Sequence, residues 1–242
     1  IESVLMKYNH GYSICISTQV GCRMGCSFCA SGLNGLKRSL LPSEMLGQIT
    51  ATQRDRGIRI SNIVLMGMGE PLDNFDNVVR FLELVSHEKG LNIGLRHISL
   101  STSGVVPGIY KLAECKMPIT LSISLHAPND EIRSSMMKVN RRWGVAELIK
   151  ACKDYIKVTG RRISFEYAVI SGVNDSDECA KQLSRLLKGM LCHVNLIPAN
   201  PVKENSYKKP DRAVIQRFCD KLNAFGVNTT IRRTLGQDID AS

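Results

Sequence analysis

Eight residues, Cys22-Arg23-Met24-Gly25-Cys26-Ser27-Phe28-Cys29, set three cysteines in a CxxxCxxC spacing. They follow a short apolar run, Ile14 to Val20, that reads as a strand. Three thiolates this close can hold three corners of a metal centre. The next cysteine is Cys115, so no fourth corner is supplied nearby. Structural zinc takes four protein ligands, commonly as two separated CxxC pairs. A [4Fe–4S] cluster held by three cysteines instead leaves one iron open to a small molecule. Gly21 and Gly25 allow the backbone to wrap around a bulky group. Phe28 can shield one side from water, and exposure tunes a cluster's reduction potential. The alternatives are a zinc site completed by a distant residue, or three unrelated buried cysteines. The spacing favours the cluster over zinc, and zinc over chance.

Around this loop the chain alternates apolar, β-branched runs with amphipathic stretches. Strands are expected over 14–18, 62–66, 97–101, 120–125, 163–170, 192–197 and 228–231. Helices are expected from 42 to about 54, from 74 or 76 to about 87, and over 106–115, 144–158, 176–188 and 211–225. Pro42 and Glu44 open the first of these, and Gly226 stops the last. Such repetition of βα units predicts an α/β fold with a parallel sheet or barrel. At 242 residues the chain is expected to form one domain, 1–242, with a large core. No apolar run approaches membrane-spanning length, and no signal peptide opens the sequence. The chain begins at Ile1 rather than Met, which reads as a fragment. Nine scattered cysteines are unlike a secreted disulfide framework and fit a reducing cytoplasm.

The formal net charge is +10, which points to a polyanionic partner, with RNA the natural choice. An inert basic surface is the plainer reading. The charge comes in small clusters: Lys37-Arg38, Arg54 with Arg56 and Arg59, Arg141-Arg142, Arg161-Arg162, Lys208-Lys209 and Arg232-Arg233. If they converge on one face, binding should weaken steeply with salt. Trp143 and the tyrosines are too dispersed for a base-stacking platform.

Chemistry-bearing residues recur just after the expected strands. Met66-Gly67-Met68-Gly69-Glu70-Pro71 combines close backbone approach with a carboxylate able to accept from an ammonium or a ribose hydroxyl, or it is a tight turn. Ser101-Thr102-Ser103-Gly104 offers hydroxyls that otherwise cap a helix. Ser124-Leu125-His126 ends the next strand, where a lone histidine is more often structural than a ligand. Asn200 in Ile197-Pro198-Ala199-Asn200-Pro201 presents an amide, or is an ordinary Asn-Pro turn. Cys15 by itself is a buried, inert thiol, and Glu2 by itself says nothing. Cys115, Cys152, Cys179, Cys192 and Cys219 lack metal-ligand spacing.

CxxxCxxC with an aromatic residue before the last cysteine resembles the signature of the radical S-adenosylmethionine (SAM) superfamily. Ser17-Thr18-Gln19-Val20-Gly21-Cys22, Met66 to Pro71, Ser122 to Asp130, Asn195 to Pro201 and Gly236-Gln237-Asp238-Ile239-Asp240-Ala241 together resemble one branch, the RlmN-type dual-specificity RNA methyltransferases. The likeness runs from Glu2 to Ser242. It implies a partial (β/α)6 barrel with chemistry at the C-terminal strand ends. It implies a [4Fe–4S] cluster on Cys22, Cys26 and Cys29, and SAM contacts from Gly69, Glu70, Ser101, Ser124, Leu125, His126 and Asn200. The implied activity is methylation of adenine C2 in 23S rRNA and tRNA through a methyl-cysteine intermediate. In that scheme Glu2 takes the C2 proton, and Cys15 forms a transient disulfide that frees the product. The methyl-carrying cysteine is expected directly after Ser242, and a small helical domain before Glu2, so the residues given are not expected to complete turnover. A flavodoxin-type electron donor, a monomeric state and a cytoplasmic location are further expectations. Rival readings are the sister activity at adenine C8, a radical enzyme acting on protein or a small molecule, and a non-catalytic, zinc-stabilised RNA-binding module.

Overall fold

Serine at every second position gives the central strands two unlike faces. In Ile98-Ser99-Leu100-Ser101 the apolar residues are buried and the serines half-buried. Thr120-Leu121-Ser122-Ile123-Ser124 repeats the alternation of residue types, with Leu121 and Ile123 fully buried and Ser122 buried between them. Period-two patterning of this kind turns one face to a core and leaves the other polar. A computed structural model describes residues 1–9, 11–198 and 207–232, and in it the two faces become the two sides of a curled sheet.

The elements in chain order are β1 (Val4–Tyr8), β2 (Gly11–Cys15), a short ribbon of β3 (Gln19–Val20) and β4 (Arg38–Ser39), α1 (Pro42–Arg56), β5 (Ile60–Leu65), α2 (Phe75–Ser86), β6 (Ile98–Thr102), α3 (Val106–Glu114), β7 (Thr120–Ser124), α4 (Asp130–Met136), α5 (Val145–Thr159), β8 (Ile163–Val169), α6 (Asp177–Leu187), β9 (Cys192–Pro198), α7 (Arg212–Ala224) and β10 (Thr229–Ile231). The sheet order is β1-β2-β5-β6-β7-β8-β9-β10. Every neighbouring pair is parallel except β1 with β2. Neighbours follow chain order, so the sheet winds one way as a partial (β/α)6 barrel, open between its two edges, with β1 and β10 added outside the six central strands. Because the strands are parallel, their C-terminal ends share one rim.

Helix ends follow local chemistry. Pro42 opens α1, and the Glu44 carboxylate accepts from the Leu41 amide while pairing bidentately with Arg38, both Nη–Oε distances being 2.7 Å. Gly57 closes the helix in the left-handed conformation. Ser176 and Asn129 cap α6 and α4 with their side chains. The helices form the outer layer, where α1 packs on α2, α3 on α5 and α6 on α7. The core between layers is continuous from Ile14 through Phe81, Leu121 and Phe165 to Leu222.

Five elements differ from the sequence-based expectation. β1 had only the Val4-Leu5 pair to announce it, because an edge strand is half-buried and carries a weak pattern. The β3–β4 ribbon is two residues per strand, too short for any period. α4 has seven residues, too few for an apolar stripe. The expected strand over 14–18 ends at Cys15, after which Ile16 and Thr18 donate to the carbonyls of Val64 and Met68 across the rim.

Helix α5 buries two ionisable groups. Burial pushes the Cys152 thiol from its ordinary 9.0 up to about 12, and the Tyr155 phenol from 10.0 up to about 12. The Tyr155 hydroxyl is buried without a hydrogen-bond partner. Both groups bind protons more tightly when folded, so their share of stability is complete below the unfolded values and is lost as pH rises toward 12. Equilibrium urea unfolding should therefore give a lower midpoint at about pH 10.5 than at about pH 8. Cys152→Val, which keeps an apolar side chain and removes the thiol, should lose less over the same interval. An equal loss in both proteins would remove Cys152 from the account.

Candidate cofactor site at the barrel rim

The CxxxCxxC loop leaves the end of β2 and lies over the rim. Its path depends on glycines in left-handed conformations. Gly21 has φ +76°, and a Cβ there would collide with the Gly35 carbonyl oxygen. Gly25 has φ +60° and faces the Lys138 side chain. The loop docks on α4, where the Ser27 amide donates to the Met136 carbonyl at 2.9 Å. Met24, Cys26 and Phe28 pack against a small apolar cluster of Ala127, Met136, Met137, Val139 and Ile170. The three thiols are half-buried and free. Burial raises Cys22 to about 11 and Cys26 to about 12, and each also feels the charge of Cys29 and of Glu70. All three sulfurs thus share one electrostatic neighbourhood. Binding a metal centre there means deprotonating them, so assembly releases protons.

Among the described residues, no three His, Cys, Asp or Glu side chains gather closely enough to hold a single ion. A cuboidal cluster takes one thiolate per iron and so tolerates thiols spread around it. The donor set (three thiols on one wrapping loop, with no fourth cysteine beside them) fits the cluster.

Gly67 to Glu70 follows β5 and threads between the strand ends. A Cβ on Gly67 would lie 2.7 Å from the Ile16 carbonyl oxygen. Gly69, at φ +106°, would place one 2.6 Å from the Gln19 Cβ. Glu70 is buried, and its carboxylate accepts from the Ser103 amide at 2.7 Å and the Leu72 amide at 3.1 Å. Burial pushes this carboxyl above its ordinary range, and hydrogen bonds from the Ser103 amide, the Thr102 and Ser103 side chains and the Leu72 amide pull it back. Glu70 therefore joins the end of β5 to the end of β6. Beside it, Thr18 Oγ1 is buried with no hydrogen-bond partner.

The inner face continues this polar character. Ser101 Oγ and Ser124 Oγ lie 3.4 Å apart. Ser124 stands opposite Glu166, Glu166 opposite Asn195, and Asn195 opposite Thr230. Glu166 is buried and accepts from Ser164 Oγ at 2.9 Å and Asn195 Nδ2 at 2.8 Å. Its backbone carbonyl accepts from the amides of Leu125 and His126. Leu125 is fully buried in the core. His126 takes φ +56°, a strained backbone for a residue with a Cβ. The strain is held by Asn174, whose buried amide donates at 2.7 Å to the carbonyls of both His126 and Ala168 and accepts from the Ile170 amide. His126 Nδ1 accepts from the Ala168 amide at 2.9 Å, which puts the ring proton on Nε2. Burial, with the nearby Arg133 charge, lowers its pKa to about 3, so the ring is neutral. Phe28 of the cysteine loop meets that ring edge to face, with centroids 4.9 Å apart. This contact joins the loop to the strand-end shelf.

Cys15 ends β2 between the fully buried Ile14 and Ile16, so its half-buried thiol points to the opposite, concave side. Burial raises its pKa, while the Met66 amide and the Arg232 charge lower it. Glu2 is exposed just before β1, and antiparallel pairing sets Val4 opposite Cys15. The Glu2 carbonyl accepts from Ser17 Oγ at 2.7 Å, so Glu2 reaches the same rim. Asn200 and the stretch from Gly236 to Ala241 lie outside the described residues. All nine cysteines are free thiols, and no disulfide joins any two of them.

Arg133, Glu166 and Asn174 belong to the rim and were not singled out from the sequence. The alternating polar pattern of β8, Ile163-Ser164-Phe165-Glu166-Tyr167, carried the signal for Glu166. Nothing local marks Arg133 or Asn174 as buried. The basic clusters divide between the two ends of the barrel. Lys37-Arg38, Arg141-Arg142, Lys208 and Arg232 sit in segments that follow strand C-termini, as do Arg23 and Lys138. Arg54, Arg56 and Arg59, and Arg161-Arg162, precede strands β5 and β8 at the far end. Among the described residues no helix is long and apolar enough to cross a membrane.

A family model described as the Radical SAM superfamily matches residues 16–183. A relative from Lachnospira eligens, "Probable dual-specificity RNA methyltransferase RlmN", is 57% identical over all 242 residues, which span 69% of its length. One of the same name from Alkaliphilus oremlandii is 59% identical, with 71% of its length spanned. The crystal structure of a radical SAM methyltransferase from Sphaerobacter thermophilus superposes with a TM-score of 0.96 at 48% identity, covering 99% of this chain and 71% of that one.

Asn174→Ala should release the left-handed His126 and leave two buried carbonyls without donors. A loss of about 2–4 kcal/mol is expected from urea unfolding. SAM affinity, measured by calorimetry on the refolded protein, should fall with it. Wild-type stability in this variant would show that the shelf holds its shape without the amide.

Proposed function

Since this chain belongs to the radical SAM superfamily and, within it, to the RlmN-type dual-specificity RNA methyltransferases, we propose that it methylates C2 of adenine in 23S rRNA and in tRNA. The observation that carries this reading is convergence on one rim: the three-thiol loop, the Gly69-Glu70 turn, the Ser101 to His126 shelf, Cys15 and Glu2. Cys22, Cys26 and Cys29 would hold a [4Fe–4S] cluster, and Gly69, Glu70, Ser101 and Ser124 to His126 would cradle SAM, with Asn200 a further contact. When bound, cluster and SAM supply one-electron chemistry, which adenine C2 needs because it is electron-poor and bears no acidic hydrogen.

The protein's own residues divide the remaining work. Gly67 and Gly69 let the backbone approach a ligand where any side chain would collide. Neutral His126 and Phe28 close one side against water. Glu2, on the exposed edge of the rim, would accept a proton from the target base. Cys15 rests as a neutral thiol on the concave side. It would attack the sulfur of the methyl-carrying cysteine once that sulfur is joined to the base through a methylene: an S–S bond forms, the S–CH2 bond breaks, and the carbon keeps the electron pair and takes a proton to become the product's methyl group. Rim cations from Arg23 to Arg232 would guide the phosphate backbone, and the base would have to leave its stack to enter. A flavodoxin-type protein is the proposed electron donor, and the proposed setting is the cytoplasm.

Anaerobic purification of the complete protein should yield about four irons per chain and a visible spectrum that changes with SAM. Incubation with SAM, reductant and RNA should then place the new methyl group on adenine C2. Cys15→Ala should keep its iron and accumulate a covalent protein–RNA adduct. Free product from that variant would remove Cys15 from product release. A methyl group at C8 would assign the sister activity. A colourless zinc protein that ignores SAM would leave a zinc-stabilised RNA-binding module.

A further inference from the structure

Arg133 is fully buried, at 0% exposure, whereas every other arginine among the described residues reaches solvent. Its guanidinium spans the barrel rim. Nε donates to the Leu125 carbonyl at 3.1 Å, and Nη2 to the carbonyls of Ser103 at 2.5 Å and Ser124 at 3.2 Å. Nη1 donates to Asn140 Oδ1 at 2.8 Å. Every partner is neutral. The closest acidic residue on its own helix, Asp130, turns Oδ1 to the Val145 amide and Asn140 Nδ2 and reaches Arg133 through its field without contact. Among the described residues, no carboxylate lies within ion-pair distance of Arg133. A buried charge left in this state is costly, and an apolar side chain of similar size would be cheaper.

The position of the charge explains what that cost serves. Ser103, Ser124 and Leu125 sit at the ends of β6 and β7, on the shelf beside Ser101 and His126. One helical turn along α4 from Arg133 is Met136, on whose carbonyl the cysteine loop docks through Ser27. Cys26 and Arg133 each feel the other's charge.

We propose that Arg133 is a positioning residue for the cofactor site with two separable effects. Its hydrogen bonds fix the strand ends against which SAM would rest. Its unneutralised charge draws upward the reduction potential of a cluster held by Cys22, Cys26 and Cys29. Reduction adds negative charge, so a fixed cation behind one ligand favours the reduced form, and the surrounding low dielectric keeps the effect from being screened. This inference rests on the reading of the site as a radical SAM centre.

The test compares the complete, cluster-loaded protein with Arg133→Gln and Arg133→Lys, using iron content, thermal unfolding, the EPR-monitored midpoint potential and SAM affinity. Arg133→Gln should lower the potential by about 59 mV or more, a tenfold change in the one-electron equilibrium constant, and bind SAM about tenfold more weakly. Arg133→Lys keeps the charge but lacks the fork that reaches three carbonyls, so its potential should stay near wild type while SAM binding still weakens. A folded Arg133→Gln protein with full iron and an unmoved potential overturns the proposal. Should that variant fail to fold, a crystal structure of the wild-type protein with SAM decides. Arg133 still on the three carbonyls, without a carboxylate partner, supports the proposal, and a guanidinium turned to pair with the SAM carboxylate overturns it. Wild-type protein without iron would remove the radical SAM reading itself, and this inference with it.

Discussion

A single buried guanidinium ties the working end of this barrel together. The rim of a parallel sheet exposes strand-end carbonyls that have no partner in the next strand. In most folds water satisfies them, but here Ser103 and Leu125 are buried. Arg133 answers three of these carbonyls at once, from a helix that no strand-to-helix pattern required. A lysine has the charge but not the planar spread of donors, and an apolar residue would leave the carbonyls bare. α4 is therefore the floor of the cysteine loop as well as the clamp of the shelf, and two parts of the site that come from distant sequence share one support.

The rest of the design follows from the unlike faces of the strands. The outer face is a continuous apolar core, and its cohesion stabilises the fold. The inner face carries serines, Glu166 and Asn195 that bond mainly to one another. A closed barrel fills its interior with branched apolar side chains. This sheet stops short of closing, so its concave side is free to remain polar and to take a cofactor. Polar groups satisfied by their neighbours can be buried without penalty, and those with spare lone pairs can still meet a ligand.

Much of this was legible in the sequence, and the reasons are physical. Cysteine spacing is local in sequence, so the loop of Cys22, Cys26 and Cys29 stands out without any structure. Strands β5 to β9 and their helices came from apolar periodicity, because burial acts on residues a few positions apart. Gly69 was readable because no side chain fits there. Arg133 and Asn174 were not readable, since their roles depend on partners contributed by other elements: Ser103 and Ser124 for one, His126 and Ala168 for the other. An arginine in Asp130-Glu131-Ile132-Arg133 looks like an ordinary helix surface until the loop above it is in place. Glu2 presents the reverse case. Its sequence context is mute, and only the antiparallel turn of β1 back along β2 brings it to the rim.

That contrast bears on how the site achieves its geometry. The ligand-facing positions are set by backbone, through glycines that permit close approach and through a histidine forced into a left-handed turn. Backbone conformations of this kind are unfavourable in isolation and persist only where surrounding bonds over-determine them. Asn174 supplies that support for His126, Glu70 for the Ser103 end of β6, and Asn74 for the approach to the cysteine loop, where its amide bridges the carbonyls of Thr18 and Leu40 at 2.9 Å each. Each of these side chains is buried and polar and bonds directly to the main chain of a distant segment. The charged groups that the cysteines feel, Glu70 and Arg133, are themselves held by main-chain bonds, so the contacts that shape the rim also fix where its charges stand.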